Sequence, residues 1–79
     1  MKQIKNLKNE KIVDTNFPNG ITISELAKTT DEIFYNFTTG GFGYGDDARD
    51  YTNRGDDSVI IDSLYVEPDG SITIEYEEV

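Results

Sequence analysis

The chain has 79 residues, with 16 acids against 7 bases, no His, no Cys and a net charge of −9. A chain of this length holds one domain with a thin core, burying roughly 60–65% of the surface its unfolded form exposes, and leaves little volume for a catalytic pocket. Without Cys and His there is no disulfide framework or thiolate site, and the commonest general base and metal ligand are missing, so neither an enzyme nor a cofactor is expected.

Residues 1–10 permit two readings. Lys2, Lys5, Lys8 and Lys11 recur every third residue with Ile4 and Leu7 beside them, which fits a short helical turn or a frayed arm. No apolar h-region follows these lysines, so no signal peptide is expected. No apolar run approaches the ~20 residues of a membrane span. The expected location is the cytoplasm, or the host cytoplasm for a phage protein.

Lys11–Thr15 is expected to pair with Ile21–Ser24 as a hairpin. The connection Asn16-Phe17-Pro18-Asn19-Gly20 contains the Asn-Gly turn signal. A central helix follows, with Ser24 capping a start at Glu25 or Thr30 capping a start at Asp31. Leu26, Ile33 and Phe37 would share one face, and Gly40-Gly41 would end it. Thr29 and Thr30 disfavour the longer version. Ile23–Lys28 resembles the opening helix of a helix-turn-helix. The recognition helix would then be Asp31–Phe37, which has no Arg or Lys to meet phosphate or guanine, so binding to DNA is not expected.

Residues 40–57 form a Gly/Asp-rich loop with a turn of helix around Ala48–Asn53, capped by Asp46 or Asp47. A loop this long either grips a partner or is a linker whose tyrosines tuck onto the sheet. Gly41-Phe42-Gly43-Tyr44-Gly45 misses the dinucleotide fingerprint, because Asp46 stands where the third Gly belongs, and no P-loop Lys follows. Asp46, Asp47, Asp50, Asp56 and Asp57 offer oxygen ligands for Ca²⁺. With Asp50 as first position of an EF-hand, Gly55 falls correctly but Thr52, Arg54 and Ile61 do not. The Arg54-Gly55-Asp56 tripeptide and the Asn36-Phe37-Thr38 sequon both require secretion and read as chance.

The C-terminal hairpin is the best-defined element. Ser58–Glu67 and Ser71–Val79 are rich in β-branched and aromatic residues and flank Pro68-Asp69-Gly70. A three-residue loop with a Gly bulge sets Glu67 opposite Ser71, then Val66 opposite Ile72, Leu64 opposite Ile74 and Asp62 opposite Tyr76. That face, with Ile60, is the expected core face. Tyr65, Thr73, Ser63, Glu75, Ile61 and Glu77 form the other. The expected fold is α+β: a small antiparallel sheet of two β-hairpins with one central helix, residues 1–79 making a single acidic domain.

Charge gives the functional expectation. Residues 1–28 hold five lysines against three acids, a net +2, whereas residues 29–79 hold two arginines against thirteen acids, a net −11. Such a field repels nucleic acid and anionic membrane and attracts basic proteins. Alternate residues of a strand stand about 6.6–6.8 Å apart, the scale on which charges repeat along a nucleic-acid backbone. Asp46, Asp47, Asp50, Asp56, Asp57, Glu67, Glu75 and Glu77 are therefore candidate phosphate substitutes, with Tyr44, Tyr51 and Tyr65 as anchors. In size and composition the chain is similar to the small phage-encoded inhibitors that block restriction or CRISPR nucleases. The resemblance is one of kind, carried by no motif, and it implies a nucleic-acid mimic, present as monomer or homodimer, that meets a basic nucleic-acid-binding protein. The alternatives are an immunity- or antitoxin-like partner of a basic protein and a Ca²⁺-binding regulator.

Overall fold

The computed structural model describes residues 2–49, 55 and 57–77. In chain order the elements are β1 (Lys2–Leu7), β2 (Lys11–Ile12), β3 (Ile21–Thr22), α1 (Ile23–Leu26), β4 (Ile33–Asn36), β5 (Gly41–Tyr44), a 3₁₀ turn (Asp46–Arg49), β6 (Ser58–Ile60), β7 (Ser63–Val66) and β8 (Ile72–Tyr76). They form three antiparallel sheets, ordered β1-β8-β7, β2-β3 and β5-β4-β6. The fold is mostly β with one helical turn, so the expectation of a single sheet of two hairpins is corrected.

Local turn chemistry explains what the sequence reading located. Val66 pairs with Ile72 and Leu64 with Ile74, the register set by the three-residue loop. Gly70 sits at φ +90° and its N–H donates to Glu67 O at 2.9 Å, closing the bulged turn. Ile12 pairs with Ile21 and Lys11 with Thr22. Gly20, at φ +88°, takes the left-handed position of that hairpin. The ladder is shorter than expected: Val13–Thr15 belong to the turn, and Ile23 and Ser24 to the helix.

Three segments depart from the sequence reading. The first is residues 2–7, which are neither helical nor frayed: β1 pairs with β8, Lys2 opposite Tyr76, Ile4 opposite Ile74 and Leu7 opposite Ile72. In a regular strand Ile4 and Leu7 would face opposite sides. A bulge between them, with Asn6 at φ +62°, restores both to the core face. The second is the central helix, which lasts one turn. Thr22 caps it, its Oγ1 accepting the Glu25 N–H at 3.3 Å. The Thr29 hydroxyl then bonds Leu26 O at 2.8 Å, and Thr30 Oγ1 accepts the Glu32 N–H at 3.0 Å. These local bonds compete with helix continuation. Ile33-Phe34-Tyr35-Asn36 become a strand because β-branched and aromatic side chains suit a pleated surface, and β4 is flanked on both sides, by β5 and β6.

The third is Ser58–Glu67, which is two strands. Ile61 N–H donates to Ile33 O at 2.9 Å and Asp62 N–H to Glu75 O at 2.8 Å, so the chain passes from one three-stranded sheet to the other at this point. That crossing drops Ile61 into the core, against expectation, and leaves Ile60 half-buried and Asp62 exposed. Val66, expected in the core, is 57% exposed. Within 40–57, Gly41–Tyr44 form a strand rather than a loop. Gly43 makes room for the Phe34 ring across the ladder: a Cβ there would lie 2.3 Å from Phe34 Cζ and force the ring to move. Ala48 lies in the 3₁₀ turn, and the remainder of the expected helix at 50–53 lies outside the described residues.

The core is one cluster: Ile23 and Leu26 of α1, Ile33 and Tyr35 of β4, Ile61, and Ile72 and Ile74 of β8. Both three-stranded sheets and the helix meet in it. Tyr35 closes one end, its ring centroid 5.1 Å from Phe42 and 5.4 Å from Phe37.

Candidate functional site

Period-two alternation gives β8 an inner row of Ile72 and Ile74 and an outer row of Thr73 and Glu75. Pairing brings Gln3 of β1 and Ser63 of β7 level with Glu75, and Tyr65 level with Thr73. The Tyr65 hydroxyl donates to Glu75 Oε1 at 2.6 Å, and Gln3 Nε2 donates to Oε2 at 3.1 Å. Thr73 is buried between its neighbours, and its hydroxyl donates to Glu67 Oε1 at 2.9 Å. The bond from Tyr65, then that from Gln3, holds the Glu75 carboxyl below the usual carboxylate range. The same Glu75 bond pushes the Tyr65 phenol up. At the turn, Asp69 is held low by the Ser71 hydroxyl, at 2.6 Å, and then by the Ser71 N–H, at 2.9 Å.

A second tyrosine–carboxylate pair lies on another sheet. Tyr44, at the end of β5, donates to Asp14 Oδ2 at 2.6 Å and accepts from Asn16 Nδ2 at 3.1 Å. The other Asp14 oxygen caps its own turn, accepting the Asn16 N–H at 2.9 Å and the Phe17 N–H at 3.0 Å. Phe17 braces the tyrosine, ring centroids 5.8 Å apart. Asp14 is held below its usual range, first by Tyr44, and Tyr44 is raised, first by Asp14. Asp46 follows at the rim of an open cleft of about 590 Å³ that also takes in Ile12, Asp14 and Phe42.

The expected residues are thus divided. Glu67, Tyr65 and Glu75 share the outer face of β1-β8-β7. Glu77 is exposed just past the end of β8. Tyr44 and Asp46 stand with Asp14, at the end of β5. Asp57 is tied to the β4–β5 turn: its carboxylate accepts the Thr38 hydroxyl, and its carbonyl accepts the Phe37 N–H at 2.9 Å. Asp50, Tyr51, Asp56 and the Asp47 side chain lie outside the described residues. The amino-terminal lysines do not stay apart from the acids in space: β1, with Lys2 and Lys5, pairs with β8, which carries Glu75. Lys5 and Glu67 line one cleft of about 320 Å³. Among the described residues no three acids converge as a metal site. Sequence reasoning missed Asp14, Asn16, Gln3 and Thr73. Only Asp14 had a legible signal, an Asp opening a Pro-Asn-Gly turn segment.

The pairs make a pH prediction. A ¹³C titration of Glu75 is expected to give a midpoint below the glutamate range, and Tyr65→Phe to return most of that shift, Gln3 retaining the rest. Since the folded pKa is depressed, the stabilisation is present above the ordinary range and lost as pH falls through the lowered midpoint. An ordinary midpoint in the wild-type protein would show that the bond is not held in solution. Comparison of the chain with protein-family models, curated proteins and solved structures gives no match in any of the three.

Proposed function

We propose that the protein is an acidic mimic of nucleic acid that occupies the polyanion-binding surface of a basic protein. The repeated tyrosine–carboxylate pair carries this reading: Tyr65–Glu75 and Tyr44–Asp14 have the same 2.6 Å bond on two different sheets. Each sets an aromatic ring beside a carboxylate oriented and kept ionised by hydrogen bonds, as a base stands beside its phosphate. Arginine meets a fixed carboxylate as it meets a phosphate, through charge-assisted and often bidentate bonds. The ring adds amphipathic contact area, and a net charge of −9 steers the encounter. A defence nuclease such as a CRISPR effector is the target class that size and composition favour.

The test is competition. The immobilised protein is used to capture basic proteins from a nuclease-treated bacterial lysate, and the captured target is titrated with DNA and RNA. Nucleic acid is expected to displace this chain, with affinity falling steeply as salt rises. A joint Glu75→Gln and Asp14→Asn change is expected to weaken capture while leaving the fold intact, since exposed charges add little stability. A target that holds nucleic acid and this protein together would refute mimicry and favour an ordinary interaction module.

A further inference from the structure

An open sheet edge recruits another strand unless something blocks it. The edges of this fold are treated differently. β1 carries Lys2 and Lys5 and a bulge at Asn6, each of which spoils templating. On β5 the Glu10 carboxylate plugs the edge, its Oε1 accepting the Phe42 N–H at 3.3 Å. β7 is Ser63-Leu64-Tyr65-Val66, with no charge or proline and a regular register, and among the described residues its one neighbour in the sheet is β8. Glu67 N–H donates to Ser71 O at 2.8 Å, which fixes the alternation. Tyr65 and Ser63 turn their backbone groups to β8, while Leu64 and Val66 turn theirs outward.

The space beyond that edge is a groove of about 480 Å³ between β7 and the turn after α1. Ile33 and Leu64 lie in its wall, Val66 stands exposed beside them, and Asp31 and Asp62 are exposed at its rim. The rim's cation, Lys28, is already engaged with Glu25 at 3.5 Å. We propose that β7 and this groove bind an extended peptide of alternating basic and apolar residues by strand addition. The peptide becomes a fourth strand of the β1-β8-β7 sheet. Its backbone bonds Leu64 and Val66, its apolar side chains enter the groove, and its cations face Asp31 and Asp62. A second copy of this chain is a poor occupant, because each would bring a net charge of −9 to the contact. The inference goes beyond the proposed function, since such an edge takes its peptide whether or not the donor handles nucleic acid.

The test uses the full ¹⁵N-labelled chain and a peptide alternating lysine and valine, with a glutamate-for-lysine peptide as control. Binding is expected to slow amide exchange at Leu64 and Val66 by about tenfold or more and to leave β1 unchanged. The glutamate peptide is expected not to bind. Val66→Lys puts a charge on the edge at an exposed site and is expected to weaken binding by about fivefold or more without loss of fold. If that variant misfolds, a joint Asp31→Asn and Asp62→Asn change serves, with the same expectation. Unchanged exchange at Leu64 and Val66 under saturating peptide would overturn the proposal. So would equal binding of the two peptides, or self-association of the chain through β7. Failure here leaves the competition result untouched, and the reverse also holds.

Discussion

Ile74→Ala is expected to bring the protein to the margin of unfolding at ambient temperature. Ile74 is fully buried at the centre of β8, level with Ile4 of β1 on one side and Leu64 of β7 on the other. It also belongs to the cluster that joins both three-stranded sheets to α1. No neighbour can fill the space without moving a strand, so truncation leaves a cavity and is expected to cost about 2–5 kcal/mol. A domain of this size has roughly 4–12 kcal/mol in total. Urea denaturation followed by circular dichroism would show a lower midpoint with an unchanged slope. Leu64→Ala removes a half-buried side chain on an open groove and is expected to cost clearly less. Val66→Ala is expected to stay within about 0.5 kcal/mol. Equal losses at all three would mean that β7 presents a fully packed face, as simple alternation along Ser58–Glu67 predicts, and would contradict the exposed Val66.

The legible features were those decided by a few adjacent residues. Pro68-Asp69-Gly70 dictates its own loop, and that loop dictates the pairing of four residues on each side. The Tyr65–Glu75 bond is nearly readable from this register, because Glu75 lies two residues past Thr73, the partner of Tyr65. The illegible features depend on chain segments far apart. Leu26, Ile33 and Phe37 do fall at helical spacing, yet Ile33 is buried within a strand and Phe37 lies exposed in the following turn. Two flanking strands decided that case, and local periodicity could not register them. Ile61 was misplaced because alternation assumes one continuous strand, whereas the chain changes sheets there. The Tyr44–Asp14 pair needs the first hairpin to meet β5, so neither segment announces it. Charge was hard to place for a related reason: Lys5 and Glu67 stand far apart in sequence, yet they line one cleft once β1 pairs with β8.

Removing residues 1–7 is expected to abolish the cooperative fold, although a frayed arm would be dispensable. β8 is the central strand of its sheet only because β1 covers one edge. Without β1, the backbone groups on that side of β8 lose their partners, and Ile74 and Ile72 lose their cross-strand neighbours Ile4 and Leu7. The bulge supplies a finer test of the same point. Deleting Asn6 alone removes the extra position and leaves Ile4 and Leu7 two residues apart, so both still reach the core face, now from a regular strand. It is expected to keep a cooperative melt, unlike the chain that lacks residues 1–7. Lys5→Gln, on the exposed side, is expected to change stability by no more than about 0.5 kcal/mol. Thermal melts and amide chemical-shift dispersion would rank the three chains. A truncated protein that still melts cooperatively would show that β8 holds the core without its neighbour, and the account of why the amino terminus is a strand would fall with it.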